Sequence, residues 1–508
     1  MSVKQAKGPA LEQRNLTADL DTNLKIIREL LAESNDVVIR EFLIAQKTKA
    51  AILCVDGLLD KEVVQRNVLR PLIVDAAETS FVPRYRLKDY VCKNLLTAED
   101  IKEEKDIREI LNKILSGDTA LLIDKEDAAL IIASRGFATR SVTEPSSEAV
   151  VRGPRESFTE SMRTNTSLIR RKINNPDLVF ESFTLGSVTN TLVTIVYLKG
   201  IAKEDLVREV KQRIRQIEID GIFDTGYIEQ LIEEHPYSPF ATTGYTEKPD
   251  VLAARILEGR VGILVDGSPN AITVPLLFIE KFQTADDYYT RPLFTSLIRI
   301  IRILSFTISV ISPSLYIILV SFQHELLPTP LLVTFANAVE GTPFPAVVEV
   351  GVMMFILEII REAGVRMPRP IGPAVGIVGS LVMGESAVSA GLIGQPLVIV
   401  IALTAITSYI VPTLYDESAL LRILFYVFTS FFGIIGFVTA TILIVIHLAS
   451  LQPFGVPFMS PFMPFEGEDI KDSFLRAPLW LMKRRPQVLG GKKRFGERPK
   501  SSIKGEDL

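Results

Sequence analysis

The pattern of apolar and polar positions splits the chain into two unlike parts. Up to Arg302 the apolar runs are short and separated by charged stretches; from Ile303 onward they reach bilayer length. In the first part, Ala50–Val55, Ala120–Ile123, Leu130–Ala133, Thr191–Leu198 and Val261–Val265 read as β-strands. Between them lie helical patterns. Leu206, Val207, Val210, Ile214 and Ile217 recur at helical spacing and predict a helix over Lys203–Ile217. Asp266-Gly267-Ser268-Pro269 lies between Val261–Val265 and Ala271–Leu277 and predicts a hairpin turn. The polar stretch Ser141–Phe158 reads as a linker. The expected architecture is an α/β region of two subdomains, over 1–145 and 146–290.

The second part follows membrane rules. Ile303–Phe322 is about 20 apolar residues, the length needed to cross a hydrocarbon core of about 30 Å, and Pro313 should kink it. Gln323–Pro345 reads as a loop plus a shallow or re-entrant segment. Ala346–Ile360 is apolar but carries Glu349 and Glu358. Ile371–Val411 is 41 residues with one charge, Glu385, and Ile423–Leu448 is 26 residues with none. These tracts predict an all-α transmembrane domain over 291–450 with about four crossings, Ile371–Val411 crossing once and its remainder re-entrant or interfacial, then a basic cytosolic tail over 451–508.

Charge supports that division. The 168 residues between Arg302 and Lys471 hold four basic side chains, Arg361, Arg366, Arg369 and Arg422, whereas the first 302 residues hold 41. A charge at the bilayer centre costs about 2.5–3.5 kcal/mol or more. Residues 1–302, 303–470 and 471–508 sum to about −4, −7 and +7. Placing the basic clusters near residue 300, over 361–369 and beyond 471 on the cytoplasmic side requires an even number of crossings. Arg422 then falls on the outer side, near Asp416 and Glu417. The first 20 residues show no signal-peptide pattern, which places the front region in the cytosol.

Candidate chemistry is sparse. Gly372, Gly376, Ser380 and Gly384 recur every fourth residue, which puts them on one side of a helix. Such a stripe permits close helix packing in lipid or lines a pore in an oligomer. Glu385 follows directly, either as a functional intramembrane acid or as a first-turn acid favourable to the helix dipole. Val388 completes the pore-lining candidates. Glu349, about 180° round the helix from Glu358, is the buried acidic candidate. No phosphate loop, zinc motif or nucleophile elbow is present, and three scattered histidines give no metal-ligand spacing. Cys54 and Cys92 are too few for a disulfide scaffold, and Cys54 reads as a core residue. Arg152-Gly153-Pro154-Arg155-Glu156 is read as charge pairing within the fold rather than a phosphate or nucleic-acid site. The sequence makes no case for an enzyme, a cofactor or a metal.

Longer motifs carry a resemblance. Glu144-Pro145-Ser146-Ser147-Glu148 leads into Arg152–Glu156, Phe158-Thr159-Glu160-Ser161 and Arg163–Arg171; Glu340-Gly341-Thr342-Pro343-Phe344-Pro345 and Arg361-Glu362-Ala363-Gly364 follow in the membrane part. With Asp220-Gly221-Ile222, Ser238-Pro239-Phe240 and Val265-Asp266-Gly267, this resembles the A subunit of GerA-type spore germinant receptors over nearly the whole chain. Ser157 departs from the family pattern, which has Gly there in many members.

The resemblance implies a multi-pass protein of the spore inner membrane with both termini cytoplasmic. It implies a permease-like, nutrient-binding B subunit and a lipoprotein C subunit as partners, with no nucleic acid. It further implies a homo-oligomer, a pentamer, forming a nutrient-gated cation channel with its pore over Gly372–Val388. The alternatives are a stage V sporulation paralogue that assists ion release and a non-conducting scaffold subunit.

Overall fold

A computed structural model describes residues 15–31, 34–78, 87–97, 100–136, 145, 148, 150, 152–366, 384–491 and 494. Its front region holds two five-stranded antiparallel sheets. The first comprises β1 (Val37–Ile44), β2 (Thr48–Val55), β3 (Ile101–Glu104), β4 (Thr119–Ile123) and β5 (Ala129–Ile132) in the order β1-β2-β4-β5-β3. The second comprises β6 (Leu178–Leu185), β7 (Thr191–Leu198), β8 (Gly244–Thr246), β9 (Val261–Val265) and β10 (Ala271–Val274) in the order β6-β7-β9-β10-β8. The five runs read as strands are all strands, and a helix spans Glu204–Arg215. β9 and β10 pair as the expected hairpin, with Leu264 opposite Ala271.

The two sheets share one strand order because the front region is a tandem repeat. Each unit runs helix, two strands, helices, strand, helix, two strands. Thr17 and Thr159, Asn23 and Asn165, and Arg28 and Arg170 each lie 142 positions apart. Their local chemistry is the same. Asn23 accepts the Thr17 N–H at 3.0 Å and donates to the Thr17 carbonyl at 2.6 Å; Asn165 accepts the Thr159 N–H at 2.8 Å and donates to the Thr159 carbonyl at 2.5 Å. Each buried asparagine thereby fixes the entry to the first helix of its unit.

The junction of the two units is built from charge. Arg170, 1% exposed, makes a fork with Asp36 through Nε and Nη2, both at 2.8 Å. Arg163 pairs with Asp56. Both arginines sit on the first helix of the second unit, Met162–Lys172, and both acids flank strands of the first unit. Glu156 pairs with Lys172 at 3.0 Å and Arg171 at 3.4 Å, so its run is a structural charge cluster. Cys54 is buried, and burial pushes its thiol up to about 11, as befits a core residue.

Two later helical tracts, Pro292–Phe322 and Pro412–Ser450, are long and apolar enough to cross a membrane. The first runs unbroken through Pro313 into a wider turn over Ile318–Phe322. A helix over Thr329–Glu340 follows, with no buried residue, then one over Ala346–Arg366 and one over Gln395–Tyr409.

The last tract differs from the single span expected over Ile423–Leu448. Gly433 adopts φ 58°, ψ −134°, which ends one helical limb and begins another. The Phe425 and Phe437 rings lie 5.0 Å apart, although twelve residues of continuous helix would separate them by about 18 Å. Leu421, Phe425, Ala440 and Leu448 share one cluster with Phe240 and Phe458. The tract is therefore a hairpin of two antiparallel limbs, each about 26 Å long. A Cβ at Gly433 would lie 2.9 Å from the Phe322 ring, so the reversal requires glycine for both backbone and space. Its open end faces the front region: Glu417 pairs with Lys281, and His447 meets Ser238 at 2.9 Å. Arg422 accordingly sits near the front-region end, not on the opposite side.

With both native cysteines replaced, single cysteines at Asp416 and Ser450 should react with an impermeant maleimide from the same face of the membrane, and one at Phe432 from the other. Labelling of 416 and 450 from opposite faces would restore a single span.

Candidate functional site

Two groups of polar residues stand out around the membrane helices. The proximal group joins the helices to the front region. Asp287 accepts from Arg299 Nε at 2.9 Å and from Arg302 Nη1 at 2.9 Å. Arg299 reaches on to Asp472 at 2.9 Å, which also accepts from the Tyr288 hydroxyl at 2.8 Å. Arg476 donates to the Thr290 carbonyl at 2.8 Å. Burial raises the Asp472 carboxyl above the ordinary range against the pull of Arg299, and raises the Tyr288 hydroxyl well above its usual value. Arg299 Nη2 and Arg476 Nε stay buried without a hydrogen bond, but removing one partner of a buried ion pair is costly, so the first helix, the front region and the C-terminal stretch are held as one joint.

Residues 451–491 are folded. Phe454 packs into the core of the second sheet and lies under the Arg213 guanidinium at 4.2 Å. Val488 and Leu489 pack with Leu277 and Phe282. Lys281, 5% exposed, pairs with Glu417, 8% exposed, at the start of the hairpin. At the other hairpin end, His447 stacks on Phe240, with ring centroids 6.2 Å apart. At the hairpin start, Arg361 lies 4.1 Å over the Tyr415 ring and pairs with Glu358 at 3.1 Å, while Arg422 approaches Glu358 at 3.7 Å. Glu362 pairs with Arg366 at 2.6 Å, a surface arrangement.

The distal group centres on Glu349, which is 1% exposed. Its Oε2 accepts the Gly394 N–H at 3.2 Å. Gly394 caps the Gln395–Tyr409 helix, and Glu349 lies in the first turn of the Ala346–Arg366 helix. The carboxylate thus meets the positive ends of two helices, where an anion is favoured without a basic partner. Its Oε1, the Tyr316 hydroxyl and Ser314 Oγ are buried with no hydrogen bond.

The other sequence candidates divide. Gly372, Gly376 and Ser380 lie outside the described residues. Gly384 is buried, and a Cβ there would lie 3.4 Å from Val398; Glu385 is exposed and Val388 half-buried, all in one helical turn over 384–389. Sequence reasoning found Glu349 but missed Gly394, whose backbone donor has no side-chain signature. It also missed the Lys281–Glu417 and Ser238–His447 contacts, which join residues 136 and 209 positions apart. Among the described residues no group of three or more His, Cys, Asp or Glu could hold a metal.

Lys281→Ala leaves Glu417 buried without its cation and should destabilise the protein by about 3–5 kcal/mol, whereas the paired change Lys281→Met with Glu417→Leu should recover most of it. Thermal unfolding in detergent measures both. A separate effect of pH follows from Glu466, whose carboxyl is pushed up to about 7 by burial, then by Asp469. The folded state binds that proton more tightly than the unfolded chain, so stability from this group is lost as pH rises from about 4.3 through 7. Hydrogen exchange over 453–491 should speed beyond its intrinsic pH dependence between pH 5 and 8, and Glu466→Gln should remove the excess.

Comparison with known proteins gives the family. The family described as Bacillus/Clostridium GerA spore germination protein matches residues 25–488. Spore germination protein KA of Bacillus subtilis (strain 168) is 40% identical over 476 residues, 93% of this chain and 87% of that protein. Spore germination protein GerLA of Bacillus cereus is 38% identical over 478 residues, 93% of this chain and 96% of that protein. The crystal structure of the N-terminal domain of the A subunit of the Bacillus megaterium spore germinant receptor GerK3 aligns at 34% identity with a TM-score of 0.41, covering 53% of this chain and 98% of that one. The chain belongs to the GerA spore germination protein family.

Proposed function

We propose that this chain is the A-type subunit of a nutrient germinant receptor in the spore inner membrane, and that it forms an oligomeric cation channel that starts germination. Both termini lie on the cytoplasmic side, a permease-like B subunit and a lipoprotein C subunit complete the receptor, and the oligomer is a pentamer. The observation that carries this reading is the proximal joint. A membrane hairpin tied at both ends to the front region, by Lys281–Glu417 and Ser238–His447, transmits movement of that region into the bilayer. An anchor would need no such double attachment.

The hairpin supports an even number of passages larger than four. Thr413 Oγ1 donates to the Lys281 carbonyl at 2.7 Å at the proximal end, while Gly394 sits by Glu349 at the distal end. Arg361 is again proximal, beside Tyr415. The described chain stops at the proximal end at Arg366 and stands at the distal end at Gly394, which supports one further passage between them. Six passages keep all basic clusters on the cytoplasmic side, as the positive-inside rule asks.

Spores carrying Ser380→Leu should lose nutrient-triggered cation release at normal protein level, checked by immunoblot. Unchanged release would return the small-residue stripe to ordinary helix packing and favour a conduction path lined by another helix.

A further inference from the structure

The first apolar helical tract is longer than a hydrocarbon core. Pro292–Phe322 is 31 residues. At about 1.5 Å per residue this is about 46 Å, against about 30 Å for the core and about 40–45 Å with both headgroup layers. Its distal end lies under the hairpin tip, where Phe322 meets Gly433. Its first two turns therefore stand at the level of the headgroups on the front-region side. One face of this tract is apolar and exposed along most of its length. Leu293, Leu297, Ile300, Leu304 and Leu315 are all exposed and fall within about 60° of one another round the helix.

A second apolar surface is pinned beside the base of that face. The Arg476 N–H donates to Ser296 Oγ at 3.0 Å, and Arg476 Nη1 donates to the Thr290 carbonyl at 2.8 Å. Phe474 packs on Phe462, with ring centroids 4.9 Å apart. Held by these contacts, Leu475, Leu479 and Leu481 are 59%, 58% and 50% exposed. Trp480, the only tryptophan of the chain, lies between the last two. Cations follow at once. From Ser473 to Gly496 the sequence holds seven basic residues, among them Lys483 and Arg484, and no Asp or Glu. Arg484 pairs with Glu468 at 3.3 Å, and both side chains are about half exposed, so the pair exchanges at little cost.

We infer that Phe474–Leu481 is an interfacial anchor, seated in the headgroup layer of the bilayer that Pro292–Phe322 crosses. The leucines and Trp480 enter the outer edge of the acyl chains, and the basic residues meet anionic lipid headgroups. The occupant is lipid because the patch continues the apolar face of a helix of membrane length, stands at headgroup level and carries cations without acids. The anchor shares its attachment with the Asp287–Arg299–Asp472 joint, so it fixes the height of that joint against the bilayer. This inference goes beyond the receptor reading and rests on the membrane-spanning reading of Pro292–Phe322.

The test uses the full chain reconstituted in phosphatidylcholine vesicles with and without phosphatidylglycerol, with Trp480 emission as the readout. Lipid brominated near the headgroup end of the acyl chain should quench Trp480 more strongly than lipid brominated at the chain end, and aqueous acrylamide should quench it weakly. Omitting phosphatidylglycerol should shift the emission to the red, and Lys483→Gln with Arg484→Gln should abolish that dependence on lipid charge. A second variant, Trp480→Phe with Phe431→Trp, moves the reporter to the hairpin tip. If the tip tryptophan is quenched by brominated lipid but Trp480 only by acrylamide, the anchor is wrong and the spanning helices stand. If brominated lipid quenches neither, both readings fall. Trp480 shielded from both quenchers, as a second copy or another protein would shield it, also overturns the inference.

Discussion

Asp287 carries the connection between the soluble and apolar parts of this molecule. It is 2% exposed and holds two guanidinium groups from the start of the first long apolar helix. Without Asp287, Arg302 would lose its carboxylate and Arg299 would keep only Asp472, and removing one partner of such an arrangement is far costlier than the pair is worth. Arg299 then recruits Asp472 from the far end of the sequence. A rigid entry point results, from which the first helix leaves at a fixed direction. The hairpin packs along that helix, with Val310 in the Phe425 cluster and Phe322 under the Gly433 turn.

The distal end is organised by a different economy of charge. There, Glu349 is stabilised by backbone dipoles at two helix starts, with only a backbone N–H as its hydrogen-bond donor. Salt bridges at the proximal end and a backbone N–H at a helix start at the distal end hold acidic side chains next to apolar surroundings, with Glu349 Oε1 left without a hydrogen bond. They differ in reach. The proximal pairs link segments far apart in the sequence, so they can carry displacement; the distal one fixes where two helices begin.

Much of this was legible in the residues. Alternation and short β-branched runs marked the central strands because those positions are buried on at least one face; Thr191–Leu198 and Val261–Val265 are examples. The edge strands β1 and β3 were not read, since Arg40, Glu41 and Lys102 interrupt their apolar pattern at exposed positions, and the edges β6 and β8 were missed as well. The tandem repeat escaped notice as well, although its signal was present: Thr17 with Asn23 and Thr159 with Asn165 sit at equal spacing, each before an Ile-Arg pair. The hairpin was hidden for a physical reason. An apolar run of 26 residues satisfies hydropathy equally well as one tilted span or as the middle of two shorter limbs, and only the dihedral angles at Gly433 separate them. The same ambiguity hid the neighbourhood of Arg422, which approaches Glu358 near the front-region end, whereas the burial of Glu349 was legible because an acid in an apolar tract is conspicuous however the helices fold.

The Gly433 turn also has a consequence for biogenesis. From Ile423 to Ser450 there is no Asp, Glu, Lys or Arg, and the residues at the tip are Phe431, Phe432, Ile434 and Ile435. A loop that must be pushed through a bilayer during synthesis normally drags its polar backbone and charges with it, and that transfer sets the barrier to insertion. Here the two limbs can enter together as a prefolded wedge, their backbone bonds already satisfied within each helix and their leading edge as oily as the lipid. Insertion of this last element needs no translocated domain, so it can be completed after the ribosome has released the chain.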